Sequence, residues 1–295
     1  MIEQLAAHPR LIGPFQDDVI VLNRLPHVTA RLAHQRADRR LRPLTASDAS
    51  AFAAALECAQ VLHPDTPAAF AFPFHYMWTS VLSYWWMEVD GVWFLFAKSP
   101  DGWFMPLPPL GPGSLDQAME QAFTLMRQWN GPSPVSRIEF VLDVQKTRMT
   151  TDEIQFRPKD GDYLYSAAAL AALAGDPYKS HRALCNRAAR EHVITSEPYR
   201  ASDQEDCALL YRRWAEQKCQ DHQDRLGQLL LEDAEPAHQL VFREHNRIGV
   251  SGRVMRVNNK IVAYTFGYWL TPATWCVLLE VADRSVPGLA QWVFR

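Results

Sequence analysis

Long apolar runs, paired cysteines and an excess of charge of one sign are all missing from this sequence of 295 residues. Without a stretch of about 18 uncharged apolar residues, no segment is expected to span a bilayer. The densest apolar stretch, residues 78–97, is interrupted by Glu88, Asp90 and Gly91 and predicts a hairpin instead. The five cysteines (Cys58, Cys185, Cys207, Cys219, Cys276) are odd in number, scattered and free of any CxxC pair. That pattern predicts reduced thiols in a cytoplasm and excludes a disulfide framework. The N-terminus has no basic-then-apolar signal layout, so a cytoplasmic location is expected. Thirty Lys and Arg face 33 Asp and Glu, a net charge of -3. This excludes a globally basic nucleic-acid binder but leaves room for a local basic face. No G-x-S-x-G elbow, Walker loop or H-E-x-x-H motif occurs. Cys219-x-x-His222 lacks a partner pair at zinc spacing, so no metal site is expected.

What is present is the composition of a globular protein, 48% hydrophobic and 21% charged. At about 150 residues per domain the length predicts two domains, here 1–154 and 155–295. In the first, five arginines between Arg31 and Arg42 face one Asp, a solvated helix or a contact for RNA backbone. Ser47 or Asp48 can cap an Ala-rich helix ending near Leu62. Strands are predicted over 84–89, 92–97 and 103–107, turning at Asp90-Gly91 and at Ser99-Pro-Asp-Gly102. A Gly-Pro loop over 108–114 leads to a helix with Leu115, Met119, Ala122, Phe123 and Met126 on one face, closed by Asn130-Gly-Pro132. Residues 137–144 then read as a strand.

In the second domain Tyr163–Tyr165 is extended, Ser166 caps an Ala-rich helix stopping at Gly175, and Asp176-Pro177 starts the next. Cys207, Leu210, Tyr211, Trp214 and Lys218 mark a third helix. Strands are predicted over 240–242, 250–257, 261–269 and 274–279, with Asn258-Asn259 as a tight turn. A loop over 283–288 opens a last helix at Leu289. The two halves share an order (helical opening, strand meander, Gly-Pro loop, helix) without an alignable repeat. The chain stops about two turns into that last helix, which suggests a piece of a longer protein.

Four side chains, Lys179, Arg182, Asn186 and Arg190, are spaced three, four and four and share a helix face, opposite Leu184, Cys185 and Ala188. Residues 179–190 contain no acid, and such a face near a helix N-terminus suits phosphate oxygens; the plain alternative is a solvated amphipathic face. Glu280 and Asp283 end a strand, where a carboxylate can take a proton from a nucleophile; equally, Asp283 can simply start the turn. His181 is of the residue type suited to exchanging a proton near neutral pH but reads as polar surface. Tyr165, Tyr178 and Tyr264 are alternative proton donors. Trp85-Trp86 reads as hairpin packing.

Several motifs resemble the bacterial phosphatidylglycerol lysyltransferase C-terminal domain family. They are Asp162-Tyr-Leu-Tyr165, Leu170, Leu173-Ala-Gly175, Tyr178-Lys-Ser-His-Arg182, Asn186-Arg187, Trp214, Gly252, Lys260-Ile-Val-Ala-Tyr-Thr-Phe-Gly267, and Glu280 to Asp283 followed by Gly288. Weaker matches lie at Trp78 and Pro108-Pro-Leu-Gly111. The sequence departs from the family at His181-Arg182-Ala183, where Lys-Arg-Asn is usual, and at Glu280-Val281-Ala282, where Glu-Lys-Ala is usual.

The resemblance implies an α/β fold (α+β by a stricter count). It would be a tandem of two GCN5-related acyltransferase-like domains, the second incomplete. The activity implied is acyl or aminoacyl transfer from aminoacyl-tRNA or acyl-CoA, as co-substrate and not a bound cofactor, to an amine or hydroxyl of a small molecule or lipid. Family members that modify lipids carry a membrane domain that this chain lacks. Acyltransferase-like folds hold a pyrophosphate with a [Gln/Arg]-x-x-Gly-x-[Gly/Ala] loop. Here Gly288 and Ala290 fit, Ser285 replaces the first residue, Arg284 lies one place early, and Pro287 removes a donor. On this reading Lys179, Arg182, Asn186 and Arg190 hold donor phosphates, Ser285, Gly288 and Ala290 form the loop, and Glu280 or Asp283 is the base. The runner-up is a catalytically silent module that binds acyl-CoA or RNA.

Overall fold

The computed structural model describes residues 38–63, 65–131, 133–146, 154–159, 161–221 and 225–295. Arg31, Arg36, Pro132 and His222 lie outside the described residues. The described chain forms two compact units: residues 38–162 with the segment Trp269–Thr274, and Tyr163–Tyr268 with Trp275–Arg295. Among the described residues no helix is long and apolar enough to cross a membrane.

The first unit is a four-stranded antiparallel sheet in sequence order: β1 (Arg42–Pro43), β2 (Ser83–Val89), β3 (Val92–Ser99) and β4 (Gly102–Phe104). Helices α1 (Ala49–Ala59) and α2 (Phe72–Tyr76) lie between β1 and β2 in the chain, and α3 (Leu115–Asn130) follows β4. Asp48, one of the two expected caps, is the residue directly before α1, but its side chain makes no bond to the helix and turns back to Thr45. The Thr45 N–H and Oγ1 donate to Asp48 Oδ2 at 2.7 and 2.9 Å, a capping box around one turn of 3₁₀ helix. The helix ends at Ala59, where Gln60 turns left-handed (φ 49°). Asp90 and Gly91 also have positive φ and close the β2–β3 hairpin.

Strand alternation gives each sheet face its own cover. Met87, Phe94 and Phe96 pack with Ala118, Ala122, Leu125 and Met126 of α3. On the opposite face Trp86 stacks on Trp93 at 4.9 Å, and Phe52 of α1 meets Trp93 edge-on at 5.3 Å. The strand expected over 137–144 does not form. Arg137 and Glu139 exchange backbone bonds with Met105, one isolated parallel bridge. Phe140 then takes a left-handed φ of 54°, which ends the extended run. The short helix α4 (Asp143–Lys146) replaces its end.

The second unit repeats this order. Its antiparallel sheet runs β5 (Ile194–Pro198), β6 (Ser251–Val257), β7 (Lys260–Thr271), β8 (Thr274–Ala282). Helices α7 (Gln204–Asp221) and α8 (Arg225–Glu244) fall between its first two strands, and α9 (Leu289–Val293) follows its fourth. Before the sheet come α5 (Ala167–Ala172) and α6 (Lys179–Glu191). Ser166 caps α5 as expected, its Oγ accepting from the Ala169 N–H at 3.3 Å. Asn258 and Asn259, both at positive φ, make the β6–β7 turn.

Two expectations fail here. Residues 240–242 are helical, part of α8, which runs through Pro236; the apolar triplet is one side of an amphipathic helix. Strand β5 was not expected, because Thr195, Ser196, Glu197 and Pro198 dilute its apolar signal; its register with β6 (Ile194↔Val257, Ser196↔Met255) sets it at the sheet edge.

On one face of this sheet Tyr264, Phe266 and Tyr199 pack against Phe242 and His238 of α8. On the other, Met255, Ala263 and Ala282 form a cluster with Leu289, Ala290, Trp292 and Val293. Gly252 pairs with Phe266 across β6–β7, and a Cβ at Gly252 would overlap the Phe266 ring. The bare backbone is what lets that ring lie flat into the core.

Candidate active site

The basic helix folds as its periodicity predicts. On α6, Cys185 and Ala188 are buried and Leu184 half-buried, while Lys179, Asn186, Arg187 and Arg190 are exposed. Arg182 is different from its neighbours. Its Nη1 donates to the carbonyls of Leu173 and of Gly175, the latter at 3.1 Å. Leu173 is the left-handed cap of α5 (φ 46°), so Arg182 satisfies the carbonyl where that helix ends. His181 Nε2 donates to the Gln291 carbonyl at 2.9 Å and ties α6 to α9. Arg187 and Arg190 lie 3.0 and 3.9 Å from Glu191, which tempers the positive face at its C-terminal end.

The turn after β8 is organised by Asp283. Its Oδ1 accepts from the Ser285 N–H at 2.9 Å and from Ser285 Oγ at 2.7 Å. The Val286 N–H donates to the Asp283 carbonyl, and the Leu289 N–H to the Val286 carbonyl, both at 3.2 Å. Three amides of the loop are thereby committed within it. Gly288 has φ +80°, and a Cβ there would overlap the Leu184 carbonyl of α6. Its lack of a side chain serves helix packing at close quarters. Ala290 joins the apolar cluster under α9.

Glu280 lies near the end of β8, half-buried. Burial pushes its carboxyl up to about 7, because the charged form loses its water. Three residues on, Asp283 and Ser285 face a cleft of about 140 Å³ whose other wall is Leu210, Arg213, Trp214 and Gln217 of α7. Arg213 and Gln217 escaped the sequence reading. They sit at the same i, i+3, i+4, i+7 spacing as the apolar stripe and look like ordinary surface until the turn is placed opposite them.

The three tyrosines separate. Tyr264 is fully buried and its hydroxyl bonds His238 Nδ1 at 2.8 Å, so it belongs to the core; burial holds its ionisation well above the ordinary value. Tyr165 is 39% exposed and meets Phe294 edge-on at 5.3 Å. Tyr178 is half-buried just before α6. His238 was also missed: it is buried, and burial lowers it to about 3, leaving a neutral imidazole.

The first unit has a cleft of about 340 Å³ at the matching place, between the end of α1 and the loop after β4. Gly111, Gly113, Ser114, Asp116 and Gln145 are among its lining residues. Ser114 Oγ accepts from the Gln117 N–H at 3.4 Å, Gln145 Oε1 from the Leu142 N–H at 2.9 Å, and Asp116 brings negative charge. This is an unsuitable seat for a phosphate.

Among solved structures, the chain is similar to a conserved protein of unknown function from Bacteroides thetaiotaomicron VPI-5482. That match has a TM-score of 0.71 at 18% identity and covers 86% of this chain and 84% of that one. It shows a common fold. A C-terminal domain assigned to a lysylphosphatidylglycerol synthetase of Agrobacterium fabrum matches at 14% identity, over 82% of this chain and 73% of that one, with a TM-score of 0.43. No curated protein matches. The model of the family "Phosphatidylglycerol lysyltransferase, C-terminal" matches residues 63–295, which span α2 to α9 and with them the basic helix, Glu280 and the Asp283 turn. Over most of its length, then, the chain belongs to the phosphatidylglycerol lysyltransferase C-terminal domain family.

Proposed function

We propose that the chain transfers an activated aminoacyl group from a charged tRNA to a hydroxyl of a lipid acceptor, with Glu280 as the base. The observation that carries this reading is the placement of Glu280 near the end of β8, half-buried, where loss of water pushes its carboxyl up to about 7. A base poised there can accept a proton at neutral pH and release it again. The acceptor hydroxyl gives its proton to Glu280 as its oxygen bonds the acyl carbon. The ester bond to the tRNA ribose breaks, and the leaving oxygen takes that proton back from Glu280, which restores the base. Direct transfer suits the site, since the Ser285 hydroxyl that bonds Asp283 serves, with the Ser285 N–H, to hold the turn. Asp283 is less suited to the proton, because one oxygen is held by Ser285.

Family membership supports aminoacyl transfer as the class of reaction. The order strand, two helices, meander, helix in each unit fits a tandem of GCN5-related acyltransferase-like folds. Lys179, Asn186 and Arg190 supply the outward face for donor phosphates, while Arg182 holds α5 in place beneath them. Acyl-CoA is the weaker donor candidate: Ser285, Val286 and Leu289 donate their N–H groups inside the turn, and Pro287 has none to offer.

The test is transfer of labelled lysine from lysyl-tRNA to phosphatidylglycerol vesicles, with wild type and Glu280→Gln. Turnover in wild type that falls at least a hundredfold in the variant, with tRNA affinity unchanged, is expected. Equal turnover in the two proteins would remove Glu280 from the mechanism. Tight tRNA binding without any turnover in wild type would make the chain a binding module.

A further inference from the structure

The cleft between α7 and the Asp283 turn carries charges of both signs that do not satisfy each other. Arg213 is exposed and has no ion-pair partner among the described residues. Neighbouring Arg212, by contrast, is paired with Glu235 at 3.1 Å. Asp283 uses Oδ1 for Ser285, and Oδ2 has no hydrogen bond among the described residues. The two line one cleft without forming an ion pair with each other. Gln217 adds an amide on the same wall, and Leu210 and Trp214 give it an apolar side. At about 140 Å³ the space is below the ~300–1,000 Å³ of sites for drug-sized ligands and suits a headgroup.

A group with only negative charge would meet Arg213 but be repelled by Asp283, and a lone cation would face the reverse. A small zwitterion satisfies both walls at once. We infer that this cleft binds an aminoalkyl phosphate, its primary ammonium on Asp283 and its phosphate on Arg213 and Gln217, with the short carbon linker against Trp214. The inference stands on the cleft alone and goes beyond the acyl-transfer reading: an aminoalkyl phosphate has no free hydroxyl to receive the acyl group, so this is a ligand distinct from the acceptor. The guanidinium fork suits phosphate oxygens, and a primary ammonium has three N–H donors for a carboxylate.

The experiment is calorimetric titration of the full chain with phosphoethanolamine, glycerol 3-phosphate and ethanolamine, each without donor. Phosphoethanolamine is expected to bind at least tenfold more tightly than either of the others. Arg213→Ala should abolish that preference. Asp283→Asn, whose amide oxygen can still accept from Ser285 and so keep the turn, should reduce it to the level of glycerol 3-phosphate. Glycerol 3-phosphate binding as tightly as phosphoethanolamine, or an undiminished preference in Asp283→Asn, overturns the inference.

Vesicles separate the two sources of the ligand. Binding to phosphatidylethanolamine but not phosphatidylcholine vesicles, the latter without ammonium N–H, assigns the cleft to a lipid headgroup. Binding of the free compound alone assigns it to a soluble metabolite. Because these titrations need no tRNA, their failure leaves the lysyl-transfer assay standing, and failure of transfer leaves the titrations standing.

Discussion

Gly288 lies so close to the carbonyl of Leu184 that a single added methyl group would overlap it. The same residue holds φ +80°, a conformation that L side chains rarely adopt. Gly288→Ala therefore carries two penalties, overlap and backbone strain, and is expected to destabilise the second unit by about 3 kcal/mol. Urea unfolding followed by tryptophan fluorescence would report it. Gly249, also at positive φ but with open space around its Cβ, should lose less on the same change, about 1 kcal/mol.

Glu280 links activity and stability to pH in opposite directions. Its folded pKa, about 7, is above the ordinary 4.5, so the folded state binds the extra proton between those values. Stability is full below about pH 4.5 and falls as pH rises through 7, by about 3 kcal/mol. Glu280→Gln should flatten that slope and be the more stable protein above pH 7. Transfer activity should rise with pH through the same window in wild type. Denaturation midpoints at pH 5, 6, 7 and 8 for both proteins check the first point; a pH–rate profile checks the second.

His238 and His75 work the other way. Burial lowers them to about 3 and about 4 from an ordinary 6.5. Their contribution is whole above pH 6.5 and is lost as pH falls toward those values, since only the unfolded chain takes up the protons. In the folded protein the imidazole resonances of both should stay at their neutral positions from pH 8 to pH 5, measured by proton–carbon NMR.

Arg182 and the outward residues of α6 should respond differently to substitution. Arg182→Ala strips the donors from the carbonyls of Leu173 and Gly175 and should cost about 1–3 kcal/mol of stability. Lys179→Glu with Arg190→Glu should leave the denaturation midpoint within about 0.5 kcal/mol of wild type. It should weaken tRNA binding and flatten its salt dependence. Filter binding at two salt concentrations beside a thermal melt distinguishes the roles.

Arg256 reaches Asp203 at 2.5 Å and Glu197 at 3.5 Å. Asp203 is buried, and its other oxygen accepts from the Arg200 N–H at 2.9 Å. Arg256→Ala leaves that carboxylate enclosed without its cation and should cost about 3 kcal/mol. Adding Asp203→Asn should recover part of the loss, read by the same urea titration.

The parts of the fold legible in the sequence are those with local causes. Asp90-Gly91 and Asn258-Asn259 announce their turns through residues that tolerate left-handed backbone. The stripe on α3 and the cap at Ser166 are equally local. What stayed hidden depends on partners far along the chain. Strand β5 exists because β6 pairs with it, and residues 240–242 are helical because the rest of α8 carries them. In the site, the outward face of α6 could be read from spacing. The capture of Arg182 by α5 could not, nor could the meeting of Arg213 with Asp283 across a cleft. The pull of burial on Glu280 likewise comes from neighbours that the sequence does not name.

Each meander turns over two residues, so its hairpins close with little loss of chain entropy, on a scale of about 1–10 μs. The first strand of each sheet is in another position. In the second unit β5 reaches β6 only across the whole of α7 and α8, residues 204–244. Pairing at that distance is slow. On this topology the β6–β7–β8 meander is expected to assemble first, as a template with one edge open, and β5 to close it later.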